Sequence, residues 1–187
     1  MTNSDGNRHN VLKRHYYHKF ESDRAPYSRR SSGENTAQFS FDELYLLPFT
    51  HQYSEDEQGR GGFVPLEQNL HPTGINVMDE YLQMLHQNCF SYDAFRQKYH
   101  AHSSDLSGLV FMLTGLTQEQ FRLRWILRTA SLLLRYTDMS MSEVARRSGA
   151  GSRTNLYYMF QRDYNYPPSQ ERENAERDRL WKYRIIE

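Results

Sequence analysis

The chain has one cysteine, Cys89, in 187 residues. No intrachain disulfide can form from it, and no cysteine-based zinc site can be assembled. A reducing compartment fits that usage. Long apolar runs are missing as well: no segment approaches the roughly 20 residues of a membrane span, and the N-terminus lacks the apolar stretch of a signal peptide. A cytoplasmic protein with no membrane partner is expected. Net charge is the third absence, with 23 basic side chains against 23 acidic ones. Phosphate neutralisation supplies most non-specific affinity for nucleic acid, so any such contact must rest on a local cluster rather than on the total.

Catalytic patterns are also lacking. The serines have no His and Asp partners at a motif spacing, Asp79-Glu80 reads as an ordinary helix start, and the eight histidines are scattered. Gly59, Gly61 and Gly62 do not form a nucleotide-binding fingerprint, because no strand precedes them and no long helix follows directly. His15 and His18 have no acidic or cysteine partner at ligand spacing and read as part of a solvated tail. No enzyme activity, cofactor or metal is expected.

What is present is unevenly distributed. Residues 1 to 71 hold eight Lys or Arg against ten Asp or Glu, with few aliphatic side chains, too few for an independent core. Up to about Gln38 this extension reads as mostly disordered, with a basic-aromatic stretch from Arg14 to Lys19 able to brush nucleic acid by stacking and phosphate contact. Phe39 to Phe49 is apolar and wants a surface. Docking on the helices that follow, most naturally on the first subdomain where Phe111 and Met112 need cover, competes with use as a site for another protein. Glu55 to Gly62 reads as a loop.

From Pro72 onward the apolar spacing is helical. A first helix spans about Asn76 to Asn88 with Val77, Tyr81, Met84 and Leu85 on one face. Ser91 caps a second. Ser103 opens a third, with Leu106, Leu109 and Val110 inward, and Gly115 ends it. A long helix from Gln118 to Tyr136 carries a broad apolar stripe including Phe121, Trp125, Leu127, Ala130 and Leu134. Ser142 then caps a short helix with Val144 and Ala145 inward, Gly149 ends that helix, and Ser152 starts another whose Leu156 and Phe160 face the core. Beyond Pro168 a charged helical tail, 173 to 187, has Glu173 and Arg177 at salt-bridge spacing and an aromatic tip at Leu180, Trp181 and Tyr183.

Leu127, Ala130, Leu132 to Leu134, Thr137, Met141, Val144, Gly149, Phe160, Pro168 and Arg172, with Leu106 and Thr114-Gly115 upstream, resemble the pattern of the AraC/XylS family of bacterial transcription regulators. The resemblance covers about residues 76 to 172. It implies an all-α, homeodomain-like domain over 72 to 172, in which two helix-turn-helix subdomains are joined by a long linker helix and preceded by a largely irregular extension. It also implies binding to double-stranded DNA, with one helix of each subdomain in the major groove. The second unit offers Ser152, Arg153, Thr154, Asn155, Tyr157, Tyr158 and Gln161 for that groove, with Arg146, Arg147 and Arg162 for phosphates. Arg153 suits guanine and Asn155 suits adenine.

The first unit offers Ser103, Ser104 and Ser107 beside Asp105 and Gly108, without a positive charge. Such a head makes shape contacts only, or has been given over to protein. Two functions therefore stay open: a sequence-specific transcription regulator, and a protein-interaction module that keeps the fold and contacts RNA polymerase or another regulator. A homodimer is compatible with either. Several positions depart from the family pattern, namely Arg96, His100, Ala150, Asn165 and Glu171. Asn165 can take the left-handed conformation of the usual glycine. Ala150 and Glu171 are expected to thin the core and leave the domain marginally stable.

Overall fold

The structure is a computed structural model that describes residues 37–175 and 182–186. The basic-aromatic tail with His15 and His18, and the tail positions Arg177, Leu180 and Trp181, lie outside those residues. In chain order the elements are α1 (Phe41–Leu44), β1 (His51–Glu55), β2 (Gly61–Pro65), α2 (Asn76–His86), α3 (Tyr92–Tyr99), α4 (Ser103–Thr114), α5 (Gln118–Tyr136), α6 (Met141–Arg147), α7 (Arg153–Asp163), α8 (Pro168–Glu173) and β3 (Tyr183–Arg184). No helix among the described residues is long and apolar enough to cross a membrane.

Local chemistry accounts for most helix ends. The Ser91 hydroxyl accepts from the Ala94 amide, and at α5 the Thr117 hydroxyl accepts from Gln120 N while the Gln120 side chain accepts from Thr117 N. Such reciprocal caps satisfy amides that a helix start leaves without partners. Gly115 closes α4 at φ 70°. One cap differs from expectation: α6 is capped two residues earlier, by Ser140 rather than Ser142. Ser140 is extended, at φ −60° and ψ 155°, and its hydroxyl accepts from Glu143 N, whereas Ser142 already lies inside the first turn.

α5 divides the core in two. Its first half gives Phe121 and Trp125 to a cluster with Met78, Tyr81, Leu82, Phe95, Leu106, Val110 and Leu113. Its second half gives Ile126, Leu127, Ala130, Leu133 and Leu134 to a cluster with Val144, Ala145, Ala150, Leu156 and Phe160. Each fully covered Leu or Phe contributes about 1.5–3 kcal/mol, so a helix shared by both clusters ties their stabilities together. On α2 the most buried face is Met78, Tyr81, Leu82 and Leu85, with Val77 and Met84 at its edges. That face is turned slightly from the expected one.

The segment around 39–49 reaches both clusters, not the first alone. Phe39 N donates to Leu113 O at 3.0 Å, and Leu44 and Leu46 are buried in the first cluster. Tyr45 lies 4.8 Å from Trp125 by ring centroids, and its hydroxyl is 2.8 Å from Thr129 Oγ1. Phe49 then enters the second cluster, stacked parallel on Tyr183 at 4.8 Å. Met112 is left 65% exposed, so the cover expected for it is not supplied by this segment.

The expected multi-helix fold is present, and to it is added a small open sheet of order β2-β1-β3, two strands of which lie in the extension read as largely irregular. The expected loop at 55–62 is the tip of a hairpin in which His51 pairs with Pro65 and Glu55 with Gly61. Asp56 organises that tip, its carboxylate accepting from Gln58 N, Arg60 N and Arg60 Nε. A Cβ on Gly61 would fall 1.5 Å from the Tyr53 hydroxyl oxygen, so any larger residue there would displace that exposed ring. β3 closes on the other side of β1, with Gln52 opposite Tyr183.

Nor is Glu171 a thin spot. It is 1% exposed and accepts from Ser131 Oγ, Arg135 Nε and the Tyr166 hydroxyl. A buried carboxylate with three donors is a satisfied group. Ala150 is likewise packed into the second cluster.

Candidate nucleic-acid interface

α7 is positioned from both ends of its own sequence. Ser152, extended at φ −134°, caps it through a hydroxyl that accepts from Asn155 N at 3.1 Å. Leu156 and Phe160 are fully buried, which rotates Arg153, Thr154, Tyr157 and Tyr158 into solvent on the opposite side. Gln161 is half-buried at the far end of that face. The Tyr157 and Tyr158 rings meet edge to face at 5.8 Å. Among the described residues Arg153 has no ion-pair partner.

Asn155 is exposed, and its Nδ2 donates one proton to the Ala150 carbonyl at 2.8 Å, which ties the amide across the turn that precedes α7. The turn itself requires Gly149, at φ 85°, where a Cβ would also stand 2.8 Å from Asn88 Oδ1.

The flanking arginines are engaged with carboxylates. Arg162 pairs with its neighbour Asp163 at 2.7 Å. Arg146 and Arg147 both bind Glu143, at 2.6 and 2.7 Å. Hydrogen bonds from Arg146 and then Arg147 hold the Glu143 carboxyl well down, at about 2. Both guanidiniums line a cavity of about 390 Å3 between the two helix pairs, together with Leu85 and Trp125. Residues so far apart in sequence carry no shared local signal.

α4, the corresponding helix of the first pair, has a different character. Ser103 and Ser104 are exposed, and Ser107 is half-buried with its hydroxyl donating to Ser103 O at 2.9 Å. Asp105 accepts from His102 N at 2.8 Å, so its charge serves the helix start, where the macrodipole favours an anion. The open side of Gly108 meets nothing within 4 Å. No basic residue occurs in the helix.

Arg128 on α5 is exposed and has no ion-pair partner among the described residues. Its isolation could not be read from the sequence, since the neighbouring Arg135 looks the same there yet is bound to Glu171. Among the described residues no group of three or more His, Cys, Asp or Glu is placed to hold a metal ion.

No protein-family model matches the sequence, and no curated protein matches it. A solved structure similar to this chain is the C-terminal domain of the two-component response regulator yesN from Fusobacterium nucleatum subsp. nucleatum ATCC 25586, with a TM-score of 0.46 and 21% identity, covering 52% of this chain and 94% of that one.

Proposed function

We propose that this chain is a non-enzymatic, sequence-specific DNA-binding regulator of transcription, built in the AraC/XylS manner with two helix-turn-helix units, α3-α4 and α6-α7, on the linker helix α5. The observation that carries this reading is the outward face of α7. Arg153, Thr154, Tyr157 and Tyr158 stand in solvent on a helix whose other side is anchored by Leu156 and Phe160. A rigid helix with a bidentate cation and aromatic groups on one exposed face is what major-groove readout needs. Arg153 reads guanine, Thr154 and the two tyrosines contact thymine methyls or phosphate, and Gln161 lies at the edge of the contact. Asn155 acts on the turn and not on a base.

The first unit favours a second reading of its own surface. α4 has no cation, Ser107 and Asp105 are engaged locally, and Met112 is 65% exposed. A surface of that kind fits a protein partner, RNA polymerase or another regulator, better than phosphate. Selection of bound sequences from a random duplex pool tests the whole proposal. An enriched motif that is lost in Arg153→Ala supports it; no enrichment at low salt leaves the protein-interaction module as the function.

A further inference from the structure

β2 is an open edge of the sheet: β1 lies on one side of it, and among the described residues no strand lies on the other. The register fixes which of its backbone groups are engaged. Leu66 N donates to Thr50 O and Asp56 N to Arg60 O, one at each end of the hairpin. Hydrogen-bonded pairs alternate along an antiparallel ladder, so between those ends the bonded pairs are Gln52 with Val64 and Ser54 with Gly62. Gly61, Phe63 and Pro65 therefore turn their backbone groups outward. Pro65 offers a carbonyl alone, whereas Gly61 and Phe63 each offer a donor and an acceptor.

The side chains along this edge are complementary to their own copy. Gly61, Phe63 and Pro65 share one face of the sheet with Tyr53, whose ring overhangs Gly61 where a Cβ would otherwise stand. Tyr53 is 44% exposed, and Gly61 and Pro65 are exposed as well. A second β2 turned antiparallel about Phe63 sets its Pro65 opposite Gly61, under the Tyr53 ring, and the two-fold axis repeats that contact at the other end. Phe63 then meets its counterpart, each amide donating to the other's carbonyl, and each Gly61 amide reaches a Pro65 carbonyl. Charge selects this alignment. A slip of two residues turns the acidic tip at Glu57 onto Glu67 of the other copy, and like charges set opposite one another are destabilising. Alignment about Phe63 instead brings Arg60 beside Glu67, both exposed.

We infer that the open edge of β2 is where two copies of this chain associate, their sheets joined through an antiparallel pairing of β2 with β2. The strand has five residues and ends in proline, far short of the about 20–30 residues a side that stable complexes bring together. Association in solution is weak for that reason. Copies held on neighbouring DNA sites are at high local concentration, so the same contact appears there as cooperative binding. This consequence, unlike the contact, rests on the reading of the chain as a DNA-binding protein.

Disulfide trapping tests the contact and its register. The full chain carrying Cys89→Ser receives either Phe63→Cys or Val64→Cys and is oxidised over a range of protein concentrations. Across the proposed pairing the two residues 63 have Cα atoms about 5.5 Å apart, within disulfide reach, whereas the two residues 64 lie on a diagonal of about 7–8 Å, beyond it. Val64 is 41% exposed and Phe63 half-buried, so random collision favours Val64 and pairing favours Phe63. Disulfide dimer is expected about tenfold faster from Phe63→Cys. Equal rates, or a faster Val64→Cys, overturn the proposal. Phe63→Pro removes the outward amide without removing a bond to β1, as an edge position allows, and should abolish the concentration-dependent sedimentation that Phe63→Leu keeps. The cysteine comparison stands even where Phe63→Pro does not fold. Protection of the Phe63 amide from exchange that is equal at every concentration means that a segment of the same chain covers the edge, and overturns the second copy. In titrations of a duplex with two adjacent sites, cooperativity lost in Phe63→Pro supports the coupling to DNA. Trapping at Phe63 without any duplex binding keeps the contact and rejects the DNA reading, and duplex binding without cooperativity rejects the coupling.

Discussion

The side-chain amide of Asn88 donates to the backbone carbonyl of Arg146 at 2.9 Å, joining the end of α2 to the end of α6. Asn88 is left-handed, at φ 53°, which aims its side chain across the gap between the helix pairs. Its Oδ1 stands where a side chain on Gly149 would begin. One residue thus satisfies a carbonyl near the end of α6 and closes over the glycine of the next turn. The two helix pairs are fastened to each other here as well as through α5.

Gly149→Ala meets two obstacles, a positive φ and the Asn88 oxygen, and is expected to cost about 1–3 kcal/mol. Asn88→Ala loses the hydrogen bond and strains the backbone, costing about 1–2 kcal/mol. Part of the Gly149→Ala cost is the collision with Asn88, so the double variant loses less than the sum. Urea melts of the four proteins measure this, and additivity within about 0.3 kcal/mol removes the contact from the account.

Tyr45 bonds both ways, by ring to Trp125 and by hydroxyl to Thr129. Tyr45→Phe removes only the hydrogen bond and is expected to cost about 1 kcal/mol, whereas Tyr45→Ala opens a cavity against Trp125 and costs about 3–5 kcal/mol. Equal effects in thermal melts contradict the ring packing. Burial pushes the Tyr45 hydroxyl far above its ordinary range, so in the native protein it should ionise only well above that range, as absorbance at alkaline pH reads.

Acid should destabilise the second cluster through Glu171. Burial pushes its carboxyl up, but hydrogen bonds from Ser131, Tyr166 and Arg135 outweigh that and leave it below the usual carboxylate range. A depressed folded pKa means that the unfolded chain binds the proton first. The stabilisation is complete above the unfolded value, near 4.5, and is lost as pH falls through the folded one. Glu171→Gln should therefore be less stable than wild type at pH 7 by about 2–4 kcal/mol, with the difference narrowing below pH 4. A constant difference from pH 7 to pH 3 in chemical denaturation is the contrary result.

For DNA, Arg153→Ala is expected to cost about 1–3 kcal/mol and to relax base choice at one position. Ser104→Ala and Ser107→Ala should stay within about 0.5 kcal/mol, as surface substitutions do. Asn155→Ala should lower thermal stability by about 1 kcal/mol, through loss of the bond to Ala150, while leaving base choice unchanged. Relaxed base choice in Asn155→Ala would return that residue to the groove.

Salt dependence should be shallow for a protein with two heads. Arg146, Arg147 and Arg162 are all engaged with carboxylates, and α4 has no cation. About two to four phosphate contacts give a log–log slope of roughly −2 to −4. A slope near −8 in duplex titrations means that a second subunit, or the basic segment from Arg14 to Lys19, is also on the DNA.

Helix positions were legible because their signals are local. Ser91 marks the start of α3, Ser152 the start of α7, and Gly115 the end of α4, and each works through amides or carbonyls within a few residues. The outward set Arg153, Thr154, Tyr157 and Tyr158 follows from the same periodicity, since Leu156 and Phe160 must go inward. Tertiary structure decided the rest. Glu171 looks like a defect in sequence and becomes a buried hub only because Ser131, Arg135 and Tyr166 converge on it. Asn155 gives no local sign that its amide also donates to the Ala150 carbonyl. β1 and β3, at opposite ends of the described chain, pair through Gln52 and Tyr183, and the cavity between the helix pairs is assembled from five stretches. The sequence determined which residues could be helical and which face was apolar, because those are short-range properties of the backbone and of side-chain spacing. Which polar groups are engaged and which are left for a partner depends on atoms brought together by folding, and no local pattern encodes that.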